Sequence, residues 1–341
     1  MQPQIRENIS LKRYNTFGID TTARYFAAFN ASGQLEPVLN AARQLDTKLE
    51  LVVGEGSNIL LTQDIDGLVL KNEIGGIEEV GADEHHVYLK AGAGVNWHSF
   101  VLYCLANNYA GVENLALIPG SVGASPMQNI GAYGVELKDV FYELDAYHLQ
   151  DKQTRIFTLD ECGFGYRDSV FKNKYKGQFI ITAVTYRLHK KQVLNTSYGA
   201  IGTELKKMGV TAPDIKSVAE AVCTIRRSKL PDWKVLGNAG SFFKNPQISV
   251  DDFKALQESN PGIIGFPVRG EKVKLAAGWL IEQCGWKGFR RGDAGCFSHQ
   301  ALVLVNYGAA SGADIYQLSS EIIDSVKEAF GMILEREVNA I

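Results

Sequence analysis

IPGSVGASPMQNIGAYG, residues 118–134, sets Gly120, Gly123, Gly131 and Gly134 among Pro119 and Pro126 and shows neither helical nor strand periodicity. Glycine accepts positive φ and lets a ligand approach the main chain, so a loop this rich in it suggests something pressed against its backbone. The apolar Ile118, Val122, Met127 and Ile130 are interleaved with the glycines, which suits a buried loop better than a solvated one. Buried loop amides need partners, and a bound cofactor supplies them. The competing reading is a long surface loop, since short glycine patterns also arise by accident.

Upstream of this loop, residues 49–53 read as a buried strand feeding the glycine turn GEGSN at 54–58. A Rossmann fingerprint needs a third glycine where this chain has Ile59, followed by a helix; residues 59–61 read instead as another strand, which argues against the classical NAD fold. The turn still suits a pyrophosphate, because Gly54 and Gly56 admit close approach and Ser57 and Asn58 add donors, although a tight turn without ligand fits equally. Apolar spacing predicts helices over 34–45 and 97–107, and strands at 67–70 and 86–90. Downstream, 139–149 and 178–188 alternate like strands. Two glycine turns and an apolar loop within one strand-rich region point to an extended cofactor of the dinucleotide class on an α+β domain.

A second domain is expected where Pro213 and Asp214 open a helix with Ile215, Val218, Ala219, Val222 and Ile225 on one face and a basic end at Arg226, Arg227 and Lys229. Beyond it, GNAGSFFKNP at 237–246 is turn-rich, and KVKLAAGWLIEQCG at 272–285 reads as one amphipathic helix stopped by Gly285. A helix over 314–330 and a strand over 333–338 complete the reading.

The chain's 341 residues exceed the size at which single cores stop growing, so two or three domains are expected. With 45% hydrophobic and 21% charged residues and a net charge of -3, nothing suggests disorder, a nucleic-acid groove or an acidic tail. The five cysteines, at 104, 162, 223, 284 and 296, are odd in number and widely spaced, which argues against a disulfide framework and a zinc cluster and fits a reducing cytoplasm. No apolar run has signal-peptide or membrane-span character, so neither secretion nor a membrane partner is expected.

NTFGI at 15–19, GEGSN, ALIPGSVGASPMQNIGAYG, GYRDS at 165–169, GNAGSFFKNP, KLAAGWLIEQCG and LEREV at 334–338 occur in the order found in the UDP-N-acetylenolpyruvoylglucosamine reductases of bacterial peptidoglycan synthesis, and from residue 14 to 338 the chain resembles that family. The resemblance implies an α+β fold: an FAD-binding domain of the vanillyl-alcohol-oxidase type in two lobes, 1–68 and 69–212, and a smaller substrate-binding domain, 213–341, whose final strand returns to the active site. It also implies a cytoplasmic monomer in which NADPH reduces non-covalent FAD before the UDP-sugar enolpyruvate enters. GEGSN lacks the histidine or cysteine of a covalent flavin link. The implied flavin contacts are Gly54, Glu55, Gly56, Ser57 and Asn58 in the first turn. In the long loop they are Ile118, Pro119, Gly120, Ser121, Gly123 and Ala124, then Gln128 and Asn129, and finally Gly131, Ala132, Tyr133 and Gly134.

The reaction adds hydride to the vinyl carbon of an enol ether, so negative charge develops on the neighbouring carbon and its carboxylate. Arg167 matches the family residue that neutralises this charge; a guanidinium fork stays ionised and binds a carboxylate bidentately. A structural pairing with Asp168 is the alternative. Ser241 matches the proton donor to the carbanion, against the plainer role of capping a turn. Glu337 matches the carboxyl that shares the charge, with Glu335 two positions away on the same face of the expected strand. Tyr198, Lys229 and Asn245 match contacts to the nucleotide diphosphate, Tyr198 marking the subtype with a tyrosine loop, and Tyr133 is placed between flavin and substrate. One departure stands out: the resemblance implies an arginine where this chain has Asn339, which cannot supply that positive charge to the substrate, and Glu337 needs a strand to hold it near the end of the chain. Two alternatives remain, another flavin oxidoreductase of the same cofactor fold and a non-catalytic UDP-sugar or flavin-binding protein. The first leaves GNAGSFFKNP without a role, and the second has no need of Arg167, Ser241 and Glu337 together.

Overall fold

Leu35, Val38 and Ala42, three and four residues apart, form the buried face of the helix Leu35–Gln44. They pack with Tyr25, Phe29, Leu68 and Leu70 of a four-stranded sheet in the order Arg6–Ser10, Thr22–Phe29, Ile65–Asn72 and Leu49–Val53, the last three parallel. The computed structural model describes residues 4–268 and 270–341 and divides into two units. The first comprises described residues up to 9 together with 23–55 and 65–228; the second comprises 10–22, 56–64 and the described residues of 229–341.

The first unit also holds a five-stranded antiparallel sheet in the order Thr154–Thr158, Phe141–His148, Phe179–His189, His86–Gly92 and Ile77–Ala82. Its central strand, Phe179–His189, buries residues on both faces, which is why its apolar content exceeds plain alternation. Buried Asn72 joins the two sheets by donating from Nδ2 to the Ile181 carbonyl at 3.0 Å. Helix Trp97–Ala106 starts at Asn96, whose Oδ1 accepts from Ser99 N–H at 2.8 Å, and it buries Trp97, Phe100, Val101 and Cys104. The helix at 213 does not begin a separate domain. Over Ile215–Lys229 it contributes Ile215, Val218, Ala219 and Val222 to the first unit's core, and that unit runs to Ser228. A short helix, Gly199–Lys207, also belongs here and has no counterpart among the sequence expectations.

In the second unit a four-stranded sheet runs Gly237–Asn238, Leu304–Asn306, Ala294–Cys296, Arg290–Arg291. Helix Gly312–Phe330 begins with a Ser311–Asp314 capping box, ends at Gly331 with φ 68, and buries Ile315, Leu318, Ile322 and Val326. Residues 272–285 are not one helix. Lys272–Leu275 is the middle strand between Gln247–Ser249 and Gly265–Val268, burying Val273 and Leu275 alternately, and helix Ala277–Gln283 follows. Nor is 333–338 a sheet strand. Its Glu335 carbonyl accepts from Lys244 N–H at 2.9 Å and its Glu337 N–H donates to the Phe242 carbonyl at 2.8 Å, while the paired strand is Asn339–Ala340, parallel to Ile59–Leu60. All five cysteines are unpaired. Among the described residues no helix is long and apolar enough to cross a membrane, and no cluster of His, Cys, Asp or Glu could hold a metal ion.

Candidate functional site

Much of the glycine content of the first unit brings protein against protein. An added Cβ on Gly54 would overlap Ser121 Oγ, and one on Gly123 would lie 2.5 Å from Ala93 Cβ. The Glu55 carboxylate accepts from Gly120 N–H at 3.0 Å and from Asn96 Nδ2 at 2.5 Å, so it ties the long loop to the helix start. Asn129 is fully buried, donating from Nδ2 to the Gly165 carbonyl at 3.0 Å and to Glu136 Oε2 at 3.1 Å. Ser121 is buried, Ile118, Pro119, Gln128, Gly131 and Ala132 are half-buried, and Ala124 and Gly134 are exposed.

Two features fit a bound flavin dinucleotide. The backbone is left-handed at Leu117 (φ 59), Gly120 (122), Asn129 (44), Tyr133 (51) and Gly134 (84), and repeated reversals of this kind make amide-lined concavities suited to anions. Asn114 is 1% exposed, and its Oδ1 has no hydrogen-bond partner among the described residues, an acceptor suited to an N–H or O–H of a bound group.

Around Tyr133 the first unit assembles a cationic and aromatic cluster. The Tyr133 ring meets Tyr198 edge-on at 5.3 Å between centroids. Burial raises the Tyr133 phenol, against the opposing pull of Arg226, and burial lowers Arg226 itself. Arg226 Nε donates to the Leu117 carbonyl at 3.2 Å, while Leu117 N–H donates to His98 Nδ1 at 3.0 Å. Arg167, with φ 55, donates from Nη2 to the Gly131 carbonyl at 2.7 Å. Its neighbour Asp168 accepts from Asn173 Nδ2 at 2.8 Å and from Ser169 N–H at 2.9 Å.

The second unit holds the other candidates. Gly56, φ 64, accepts from Thr16 N–H at 3.1 Å, and an added Cβ would overlap the Tyr14 carbonyl. Half-buried Ser57 and Asn58 follow, and Asn58 Nδ2 donates to the Glu337 carbonyl at 3.3 Å. Asn58 O accepts from Asn339 N–H at 3.1 Å and from Asn339 Nδ2 at 2.9 Å, so Asn339 anchors the segment after Glu337. Ser241 is half-buried between Gly240 (φ 71) and the buried Phe242, and the Phe242–Glu337 backbone bond places Ser241 and Glu337 on neighbouring segments. Glu335 is drawn off in an ion pair with Lys244 at 2.7 Å. Arg336 fastens the segment to the last helix through Ser319 Oγ and Ser320 Oγ, each at 2.7 Å. Asn245 Oδ1 accepts from Ala277 N–H at 2.9 Å, which uses the acceptor half of its amide. Lys229 is exposed at the end of its helix. Asn195 Nδ2 donates to the Gly134 carbonyl at 3.0 Å. Sequence reading singled out none of Asn114, Asn195 and His98, and of Arg226 it noted only the basic patch; a lone amide or imidazole outside a motif carries no local signal.

A family model described as UDP-N-acetylenolpyruvoylglucosamine reductase, C-terminal domain, matches residues 231–341, and one described as FAD binding domain matches 23–154. The UDP-N-acetylenolpyruvoylglucosamine reductase of Flavobacterium johnsoniae is 48% identical over 339 residues, covering 99% of this chain and 100% of the relative. That of Pseudomonas putida is 48% identical over 339 residues, covering 99% of each. The fold is shared with the crystal structure of the corresponding reductase from Thermus caldophilus, 24% identical with a TM-score of 0.68 over 99% of both chains.

Proposed function

The chain belongs to the UDP-N-acetylenolpyruvoylglucosamine reductase family, and on that premise we propose that it reduces the enolpyruvyl ether of UDP-N-acetylglucosamine to the lactyl ether, UDP-N-acetylmuramate, with NADPH and the substrate taking turns at one site. FAD, when bound, supplies the two-electron reducing chemistry that no side chain here can. The residues to hold it are the backbone of 118–134 with Asn114, and residues 54–58 at its pyrophosphate.

Arg167 binds the substrate carboxylate and neutralises the charge that spreads into it, the electrostatic contribution that is usually largest in such reactions. Its left-handed backbone and its bond to Gly131 O support this role, because they fix the guanidinium before substrate arrives. Ser241 gives its hydroxyl proton to the carbon bearing the negative charge. Among the described residues nothing hydrogen-bonds that hydroxyl, so no internal partner competes for the proton. Glu337 takes the charge-sharing role rather than Glu335, whose carboxylate is committed to Lys244. Lys229, Asn245 and Tyr198 bind the diphosphate and its neighbourhood, and Tyr133 lies at the reacting end. The working form is assigned to a cytoplasmic monomer.

The observation that carries the reading is the holding of the Glu337 segment beside the Ser241 segment by Phe242, Asn58 and Arg336, a placement that the paired roles of Ser241 and Glu337 require. Purified protein should be yellow with dissociable FAD and should oxidise NADPH only when the enolpyruvyl substrate is present. A colourless protein, or NADPH turnover indifferent to that substrate, would overturn it.

A further inference from the structure

Ser241 lies at the far end of a turn that leaves the strand Gly237–Asn238, and one side chain shapes that turn. Asn238 is 5% exposed and spends both halves of its amide inside the second unit. Its Oδ1 accepts from Gly240 N–H at 3.0 Å, while Nδ2 donates to the Leu236 carbonyl at 2.8 Å and to the Pro231 carbonyl at 3.2 Å. The backbone on either side is fixed as well: Asn238 N–H donates to the Thr16 carbonyl at 3.1 Å, and Phe242 N–H donates to the Leu302 carbonyl at 2.7 Å. Gly240 turns left-handed, φ 71, with no atom within 4 Å of an added Cβ, so glycine there serves the direction of the chain and not close packing.

We infer that Asn238 is a positioning residue for proton delivery: it holds the Gly240 turn so that the Ser241 hydroxyl meets the carbanion, and the same amide ties that turn to the loop after Lys229. The inference rests on the proton-donor role proposed above for Ser241. In that step a C–H bond forms at the carbanion carbon as the Ser241 O–H bond breaks, and solvent reprotonates the alkoxide left behind. Such a transfer tolerates little displacement, since a misplacement of about 1 Å costs on the order of 100-fold in rate. An ordinary asparagine turn would need only the bond to Oδ1. Here Nδ2 also grips both ends of the loop 231–236, so one side chain sets the Ser241 turn and closes the loop that carries on from Lys229. Reduction of the flavin by NADPH takes no proton from Ser241 and is therefore independent of this support.

Asn238→Ser shortens the acceptor and removes the Nδ2 donor. In the FAD-loaded enzyme at saturating NADPH, stopped-flow should show flavin reduction at the native rate and reoxidation by the enolpyruvyl substrate slowed roughly 10- to 100-fold, with FAD affinity by fluorescence titration unchanged. The decisive comparison is the same substitution in a Ser241→Ala background. A residue that acts through Ser241 has nothing left to position there, so Asn238→Ser should slow reoxidation no further, whereas a purely structural residue would cost the same factor in both backgrounds. Equal factors, native reoxidation in Asn238→Ser, or equal loss in the two half-reactions would each overturn the inference. Gly240→Ala strains the same turn through its positive φ without a packing clash, and it carries the same two-background comparison if Asn238→Ser does not fold. Ser241→Ala by itself tests the premise: native reoxidation there removes the proton-donor role, whereas slow reoxidation there beside native reoxidation in Asn238→Ser removes only the part assigned to Asn238.

Discussion

Gly54→Ala decides whether glycine in these turns serves the protein or its ligand. Gly54 is not among the residues with positive φ, so alanine meets no backbone penalty and the whole cost is steric. The added Cβ would overlap Ser121 Oγ and lie 3.1 Å from Ser121 Cβ. Ser121 is 4% exposed and cannot swing its hydroxyl into open solvent. Overpacking of this kind costs about 1–3 kcal/mol, which lowers Tm by roughly 2–12 °C in a unit of this size. Ser121→Ala removes the overlapping oxygen and leaves only the 3.1 Å contact, which a shift of a few tenths of an ångström relieves. The double variant should thus be more stable than Gly54→Ala alone, with a coupling of about 1–2 kcal/mol. Thermal unfolding of flavin-free protein reads this directly, because no ligand contributes. Flavin fluorescence titration of the four proteins then shows whether affinity follows stability. Strictly additive costs, or a Gly54→Ala protein with native Tm that fails to bind FAD, would refute the argument, since the space beside Gly54 would then belong to the cofactor.

Ser241→Ala should leave flavin reduction by NADPH nearly intact while slowing reoxidation by the enolpyruvyl substrate severely; stopped-flow traces with both half-reactions equally impaired would remove the proton-donor role. His98 accepts from Leu117 N–H through Nδ1 and must be neutral to do so; burial first, then Arg227 and Arg226, lower it from its ordinary value of 6.5. Because the unfolded chain takes up this proton first, stability should fall as pH drops below about 6.5, and Tm measured against pH should show a shallower acid limb in His98→Gln.

The fold was legible where local and tertiary forces agree. Helices at 35–44, 97–106 and 312–330 carry apolar spacing, and the last also carries its capping box and glycine stop. KVKLAAGWLIEQCG misled because Val273 and Leu275 are buried by two flanking strands, a pairing with partners at 247–249 and 265–268 that helical periodicity cannot register. The boundary at 213 misled for a related reason: an amphipathic helix announces that one face is buried, not which core buries it. The motifs of the site were visible because glycine, serine and charge cluster in them. Their supports were not, since Asn114, Asn195, Arg226 and His98 act on carbonyls and amides far away in sequence.

Those supports bear on how the chain's own backbone serves the chemistry. Tyr133 and Arg167, neither of them glycine, both adopt left-handed φ, which costs roughly 1–3 kcal/mol per residue unless the surroundings over-determine it. Each is held by a bond to backbone: Asn114 grips the Tyr133 carbonyl, and the Arg167 guanidinium grips Gly131 O. Leu117, also left-handed, is gripped on both its amide and its carbonyl by His98 and Arg226. The same economy governs Asn339. An arginine there would add charge, whereas the asparagine donates its backbone N–H and a side-chain N–H to Asn58 O and thereby fixes the strand that follows Glu337. Those two bonds hold the residue next to Val338, and together with the bond from Glu337 N–H to the Phe242 carbonyl they fix the backbone on either side of Val338.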